Sequence, residues 1–188
     1  MSSNRTTLTA VALLAAGAMF GAAAARADTI TFSGLSGSNG DPFSTYSEVG
    51  FTVATATGTW VEAHLFGNPT PDIFTSSLSA SVSVSNGGNF VFNGVDLSAG
   101  SGTSNYTVTG YYQSIVQFTL TGSDTSPIWT TAVGDGTTVI DTLLIQQDKV
   151  SGLTSNIDNI GVTDVPEPAS MALLGLGLAG LAAARRRR

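Results

Sequence analysis

The stretch Ser79–Ser85, with the sequence SASVSVS, alternates small polar and apolar residues along its whole length. Successive side chains of an extended chain point to opposite faces, so Val82 and Val84 would lie on one face and the serines on the other. A helix would instead need apolar residues at a spacing of three and four. The stretch therefore predicts a β-strand that buries one face and leaves the other polar.

The same alternation recurs through the middle of the chain, in segments rich in β-branched and aromatic residues. These predicted strands lie at 50–60, 90–97, 106–112, 115–120, 137–145 and 157–163. Segments rich in Gly, Asn, Asp, Ser and Pro separate the strands and predict turns, at 37–42, 67–72, 85–88, 98–105, 122–127 and 134–136. Seven to nine short strands without crossover helices predict an all-β fold, an antiparallel two-sheet sandwich that is jelly-roll-like. A β-helix is the alternative, but the sequence contains no exact internal repeat.

The charge of this region excludes one class of partner. Residues 28–167 carry all thirteen acidic groups of the chain and a single lysine or arginine, Lys149, so their net charge is about −12. Affinity for nucleic acids comes mainly from Lys and Arg contacts with phosphates, so no nucleic-acid partner is expected. The chain contains no cysteine, which excludes disulfides, thiolate nucleophiles and cysteine-ligated metals.

The first 27 residues have the features of a secretory signal peptide. A short polar start is followed by an apolar run from about residue 8 to residue 25, and the small residues Ala25 and Ala27 form an A-x-A cleavage pattern. The predicted mature chain therefore begins at Asp28. A first membrane anchor is the alternative reading of the same run.

The C-terminus combines a proline-rich triplet, an apolar run and a basic tail. Residues 169–184 carry no charge, and as a helix they would span about 24 Å at 1.5 Å per residue, which is short for a hydrocarbon core of roughly 30 Å. The basic residues that follow could reach the headgroups and would keep the tail cytoplasmic, with the acidic region outside. This tail consists of Arg185, Arg186, Arg187 and Arg188.

These three elements resemble the PEP-CTERM sorting signal of exported bacterial proteins, which is also labelled an ice-binding protein C-terminal domain. The motif residues are Pro166, Glu167, Pro168, Ala169 and Ser170. The resemblance implies recognition by an exosortase, a membrane-embedded cysteine transpeptidase, after a transient stay in the inner membrane. It also implies transfer of the region between the two signals, called the body below, to the cell surface or the extracellular matrix. The expected domains are thus a signal peptide at 1–27, a β-sandwich at 28–164 and the sorting signal at 165–188. A permanent membrane anchor is the alternative.

Residues 29–165 also resemble the ectodomain common in that family, which implies a sandwich similar to carbohydrate-binding modules. A non-enzymatic protein that binds exopolysaccharide is therefore the leading functional hypothesis. Aromatic side chains could stack on pyranose rings, and the four candidates are Trp60, Trp129, Tyr111 and Tyr112.

An enzyme is the alternative from another class. Paired carboxylates can hydrolyse glycosidic bonds, so a secreted polysaccharide hydrolase or lyase could use two of the aspartates Asp135, Asp141, Asp148 and Asp158. The chain has one histidine, His64, with Glu62 two residues before it, and this pair is predicted to lie on the surface rather than to act in a triad. No cofactor or metal is assigned. Structural calcium is the cation that oxygen ligands would suit, with candidates Asp28, Asp41, Asp158 and Asn159.

Overall fold

The structure is a computed structural model that describes residues 25–166 together with Gly177 and Arg185. The predicted signal peptide, apart from its last three residues, lies outside this range. Most of the predicted membrane span at 169–184, the motif residues after Pro166 and three of the four terminal arginines also lie outside it. Among the residues that are described, no helix has the length and the apolar character needed to cross a bilayer.

Residues 25–165 form one compact unit built entirely from β-strands. The strands are β1 (Ala27–Ile30), β2 (Pro42–Phe43), β3 (Thr45–Glu48), β4 (Phe51–Thr57), β5 (Trp60–Ala63), β6 (Asp72–Thr75), β7 (Ser79–Ser85), β8 (Asn89–Ala99), β9 (Thr103–Tyr112), β10 (Ile115–Thr125), β11 (Thr130–Val133), β12 (Val139–Ile140), β13 (Thr142–Lys149) and β14 (Ser155–Val165). The prediction of seven to nine strands was therefore too low, because it missed several segments of two to four residues that are too short to show alternation.

The strands form two antiparallel sheets, which confirms the predicted two-sheet sandwich. The eight-stranded sheet has the order β11-β8-β14-β6-β5-β2, with β1 also paired to β14 and β12 to β8. The six-stranded sheet has the order β10-β9-β13-β7-β4-β3. The chain crosses repeatedly between the sheets, so neighbouring strands are mostly distant in sequence.

The hydrophobic core lies between the two sheets and is built mainly from alternate residues of the long strands. In β7, as the alternation predicts, Ala80, Val82 and Val84 are fully buried. Trp60 of β5 is 1% exposed, and its indole Nε1 donates a hydrogen bond of 3.2 Å to the carbonyl oxygen of Ser81, so it links the two sheets. The eight-stranded sheet contributes Ile73, Leu97 and Ile157 to this core, and none of them has exposed surface. Burial of this apolar surface is the main stabilising term of the fold.

Two predicted turns are partly strands in the structure. Strand β10 continues through the segment 122–125, and β8 and β9 extend into the segment 98–105 from either side. The register explains this difference, because β9 and β10 pair continuously from Thr103 opposite Thr125 to Val108 opposite Leu120. A long partner strand supplies main-chain hydrogen bonds whatever the side chains are, and it therefore overrides the weak turn preference of Gly and Ser.

Candidate functional site

Four neighbouring strands of the eight-stranded sheet place polar and aromatic side chains on its outer face. In the register of these strands, Asn156 lies opposite Phe74 on one side and Ser98 on the other, and Asp158 lies opposite Asp96. Ile157, between Asn156 and Asp158, belongs to the core. Because strand side chains alternate between faces, the residues on either side of Ile157 face away from the core.

The connection between β5 and β6, residues 64–71, is fastened to this outer face by hydrogen bonds. The backbone N–H of Asn68 donates to Asp158 Oδ2 at 2.6 Å. The side-chain amides of Asn68 and Asn159 each donate to Asp96 Oδ2 at 3.1 Å, and Asn159 Nδ2 also donates to the carbonyl oxygen of Asn68. Thr131 Oγ1 donates to Asp96 Oδ1 at 2.6 Å. The connection therefore covers Asp158, which has no exposed surface.

A groove of about 240 Å³ lies at the edge of this covering connection. It combines aromatic and apolar side chains with two amides and a hydroxyl, and its lining residues are Asn39, Ala63, Leu65, Phe66, Phe74, Gly100, Thr154 and Asn156. The ring of Phe66 stacks on the ring of Trp129, with centroids 5.5 Å apart and an angle of 18° between the planes. Trp129 thus holds Phe66 in position although it does not line the groove itself. Leu65 is 84% exposed, so the apolar wall is open to solvent.

The polar part of the groove is built around Asn156, which is only 3% exposed. Its Nδ2 donates to Asp72 Oδ2 at 2.9 Å, whereas its Oδ1 accepts no hydrogen bond within the described part of the chain. A Cβ atom placed on Gly100 would lie 3.0 Å from this Oδ1 and would collide with Thr154 Oγ1. The missing side chain at Gly100 therefore makes room for the Thr154 hydroxyl next to a buried acceptor that has no partner.

The carboxyl groups of Asp72 and Asp158 have pKa values well above their usual range. Burial raises the pKa of Asp72 to about 8, and the negative charge of Asp158 adds to the shift. Burial likewise raises the pKa of Asp158 to about 6, with a further contribution from the charges of Asp96 and Glu48, although two backbone N–H groups oppose it. Removal from water disfavours the charged form of a carboxyl group. Asp72 is therefore mostly protonated at neutral pH.

Replacing Asp72 with asparagine should remove much of the loss of stability that we expect between pH 6 and pH 8. The pKa of Asp72 is raised on folding, so its contribution is full below the unfolded value near 4 and is lost as the pH rises through about 8. One such group lowers the free energy of unfolding by up to about 1.4 kcal/mol per pH unit in that window. Asp158 causes no further loss of stability above about pH 6, because its own pKa is about 6.

Urea denaturation of the wild type and the Asp72→Asn variant across this range measures the effect, with Asp41→Asn as the control at an exposed carboxylate. An Asp72→Asn variant whose stability falls with pH in parallel with the wild type would contradict the assignment of the titration to Asp72.

The four predicted stacking aromatics lie in different places. Trp60 is in the core, so its faces are closed to a ligand, and the prediction for this residue was wrong. Trp129 supports Phe66 from behind. Tyr111 is half-buried and lines a second, wider depression of about 580 Å³ with Gln113, Ser114 and Asp141. Tyr112 is half-buried in the same strand.

The candidate catalytic aspartates each have local partners. Asp141 Oδ2 accepts the backbone N–H of Gln113 at 2.6 Å, Asp148 accepts the side-chain amide of Gln146, and Asp158 accepts Asn68. Asp135 accepts hydrogen bonds from the residues that follow it, Thr137 and Thr138, and these bonds lower its pKa to about 2. The bonds of Asp135 are turn interactions, whereas those of Asp141 and Asp158 join segments that are distant in sequence.

The histidine and the candidate calcium ligands are also paired within the protein. His64 Nε2 lies 2.9 Å from Glu62 Oε2, and both side chains are partly buried, with 25% and 14% of their surface exposed. Asp28 forms an ion pair with Arg26, Asp41 accepts the N–H of Ser38, and Asp158 accepts the N–H of Asn159 at 2.8 Å. Within the described residues no group of three or more acidic or histidine side chains could hold a metal ion.

Sequence reasoning missed the residues that build the groove. Phe66 and Phe74 belong to the segment 60–75, in which no alternation is visible because β5 and β6 have only four residues each. Asn156 precedes an apolar strand and has the pattern of a turn residue. The available signal was the aromatic content of the segment 60–74, which is too long for a tight turn between two strands.

Comparisons with known proteins match the two parts of the chain separately. Residues 164–188 match the PEP-CTERM protein-sorting motif. No curated protein matches the chain. Similar solved structures include a family 32 carbohydrate-binding module from Clostridium perfringens NanJ in complex with galactose, at 12% identity and a TM-score of 0.46, over 64% of this chain and 98% of that one. A family 29 carbohydrate-binding module from Piromyces equi has 12% identity and a TM-score of 0.43, over 74% of this chain and 90% of that one. Similarities this low identify no ligand for this chain.

Proposed function

We propose that this chain, which ends in a PEP-CTERM protein-sorting motif at residues 164–188, is an exported surface or matrix protein that binds exopolysaccharide through its groove. In this proposal the signal peptide, residues 1–27, directs export and is removed. The sorting signal, residues 165–188, then holds the precursor in the inner membrane until an exosortase processes it. The sandwich, residues 28–164, remains as the working domain and acts as a binding protein rather than an enzyme.

The observation that carries the binding proposal is the combination of an aromatic wall with polar side chains in one groove. Phe66 and Phe74 offer apolar surface on which the C–H face of a sugar ring can lie, and Trp129 fixes Phe66. The polar side chains that line the same groove, those of Asn39, Thr154 and Asn156, can in this proposal form hydrogen bonds with sugar hydroxyls. Binding sites for small molecules generally combine mostly apolar walls with a few placed polar groups.

The charge of the domain selects among polysaccharides. With a net charge of about −12 on residues 28–167, the body repels anionic chains over distances near the Debye length, roughly 8 Å at physiological salt. A neutral glycan pays no such cost. The volume of the groove, about 240 Å³, is small and suits one sugar ring of a longer chain rather than an enclosed oligosaccharide.

Replacing Phe74 with alanine should weaken binding of the body to a neutral polysaccharide by about tenfold, or about 1.4 kcal/mol, because truncating a central aromatic contact commonly costs this much. Affinity electrophoresis or calorimetry with neutral and uronate-containing polysaccharides measures it. Tyr111→Ala, in the wider depression, is the matched control and should bind normally. Loss of binding in Tyr111→Ala but not in Phe74→Ala would place the site in that depression instead. Release of reducing sugars in the same samples would favour the hydrolase or lyase alternative.

A further inference from the structure

Strand β10 is a long, open edge of the six-stranded sheet. It has eleven residues and pairs only with β9, so the N–H and C=O groups on its other side have no partner strand in the described body. The other outermost strands of the body, β1, β2, β3, β11 and β12, have two to four residues each. Short edge strands are one way in which β-proteins avoid pairing with other chains, and β10 lacks that protection.

The residues of this edge suit pairing. Residues 115–123 contain no charged group and no proline, although the body as a whole is strongly acidic. Phe118 and Leu120 face the core, and the ring of Phe118 stacks on Phe92 with centroids 6.1 Å apart. Both side chains nevertheless remain half-buried, because no further strand covers their outer flank. The edge therefore has main-chain N–H and C=O groups without a partner strand, and its apolar surface is only partly covered.

We propose that β10 pairs antiparallel with β10 of a second copy of this chain, joining two six-stranded sheets into one. A two-fold axis at Leu120 places Leu120 opposite Leu120 of the second copy, Thr119 opposite Thr121, and Phe118 opposite Gly122. This register keeps the core faces of both sheets on the same side, and it uses only residues 118–122, beyond the irregularity between Val116 and Phe118.

The absence of charge on this edge allows a second copy to pair there. Residues 28–165 carry twelve acidic groups and one lysine, a net charge of about −11, so two copies repel each other except where they meet through uncharged residues, and residues 115–123 are uncharged. In the proposed register the nearest carboxylate, Asp124, lies opposite Val116 rather than opposite its own copy. Asp124 is also 1% exposed and accepts Gln147 Nε2 at 3.0 Å, so it points into the molecule. The edge is thus self-complementary, as an isologous interface requires.

The test uses the body, residues 28–165, which contains the whole core, and sedimentation velocity over a range of concentrations. The wild type should show the mass of a dimer. A variant with Thr119→Glu and Thr121→Glu should be a monomer, because glutamates would face each other across the axis. A variant with Thr45→Glu and Ser47→Glu adds the same charge at the same spacing to the opposite edge, β3, and should remain a dimer.

Mixing two variants of opposite charge should restore the dimer if the proposed register is correct. The variant with glutamate at both positions, mixed with a variant that has Thr119→Lys and Thr121→Lys, should form a heterodimer of opposite charges. Hydrogen exchange of the wild type gives a second readout that needs no variant: β10 amides should become more protected as concentration rises. A wild type that is monomeric at all concentrations, a dimer that the β10 glutamates leave intact, or a dimer lost in the β3 control would each overturn the proposal. Because Phe74 is not in this edge, glycan binding and dimerisation fail independently.

Discussion

Changing Pro166, Glu167 and Pro168 together to alanine should leave the uncleaved precursor in the inner-membrane fraction and abolish its appearance at the cell surface. These residues lie inside the segment that matches the sorting motif, 164–188. Proline fixes the backbone torsion φ, lacks an N–H donor and disfavours the α conformation of the residue before it, so the sequence Pro-Glu-Pro favours the extended peptide that a processing enzyme would bind in our proposal. Alanine has a high helix propensity, so the substitutions would remove this preference.

The structure adds a constraint on where processing can occur. Strand β14 lies in the middle of the eight-stranded sheet and pairs with β8 as far as Val165 opposite Asn89. Pro166 follows at once and is the first residue outside the strand. Cleavage before Val165 would remove part of a central strand, so we expect the mature C-terminus at Val165 or beyond.

Fractionation followed by immunoblotting measures the retention of the precursor, and mass spectrometry of the mature protein measures its C-terminus. A matched control with Pro127→Ala and Asp135→Ala, an exposed proline and an exposed carboxylate of the body, should be processed normally. Normal processing of the triple-alanine variant would show that the motif does not direct sorting.

Replacing Trp60 with alanine should destabilise the body by about 3–5 kcal/mol, whereas replacing Trp129 should cost much less. Trp60 is 1% exposed and connects the two sheets, so its removal leaves a large cavity and deletes the hydrogen bond to the carbonyl oxygen of Ser81. Trp129 is only half-buried and stacks on Phe66 at the surface. The sequence does not distinguish the two tryptophans, but we expect Trp60 to stabilise the core and Trp129 to support Phe66.

Urea denaturation of the two variants measures this difference in stability. Glycan binding should depend more on Trp129 than on Trp60. Trp129→Ala should weaken binding because Phe66 loses its support, while Trp60→Phe, which keeps an aromatic ring in the core, should bind normally. Equal losses of stability in Trp60→Ala and Trp129→Ala would contradict the assignment of Trp60 to the core.

The contact of His64 with Glu62 was predictable, and the groove shows why the candidate site was not. Residues separated by two positions share a face where the chain is extended, and His64 directly follows β5. The groove brings together Asn39, Phe74, Gly100 and Asn156, which are far apart in sequence. Their proximity depends on β6, β14 and β8 being neighbours in one sheet, and no local pattern specifies which distant strands pair.

The sequence by itself determined the class of fold and contained the protein-sorting motif. Alternation with a period of two is a local property, so it identified the strands around SASVSVS, and the C-terminal sorting motif is also read locally. Tertiary structure alone decided which aromatics face solvent, which carboxylates lose their water and which edge stays open. Burial, pKa shifts and free hydrogen-bonding groups depend on contacts between residues that are distant in sequence, and these exist only after the two sheets have packed.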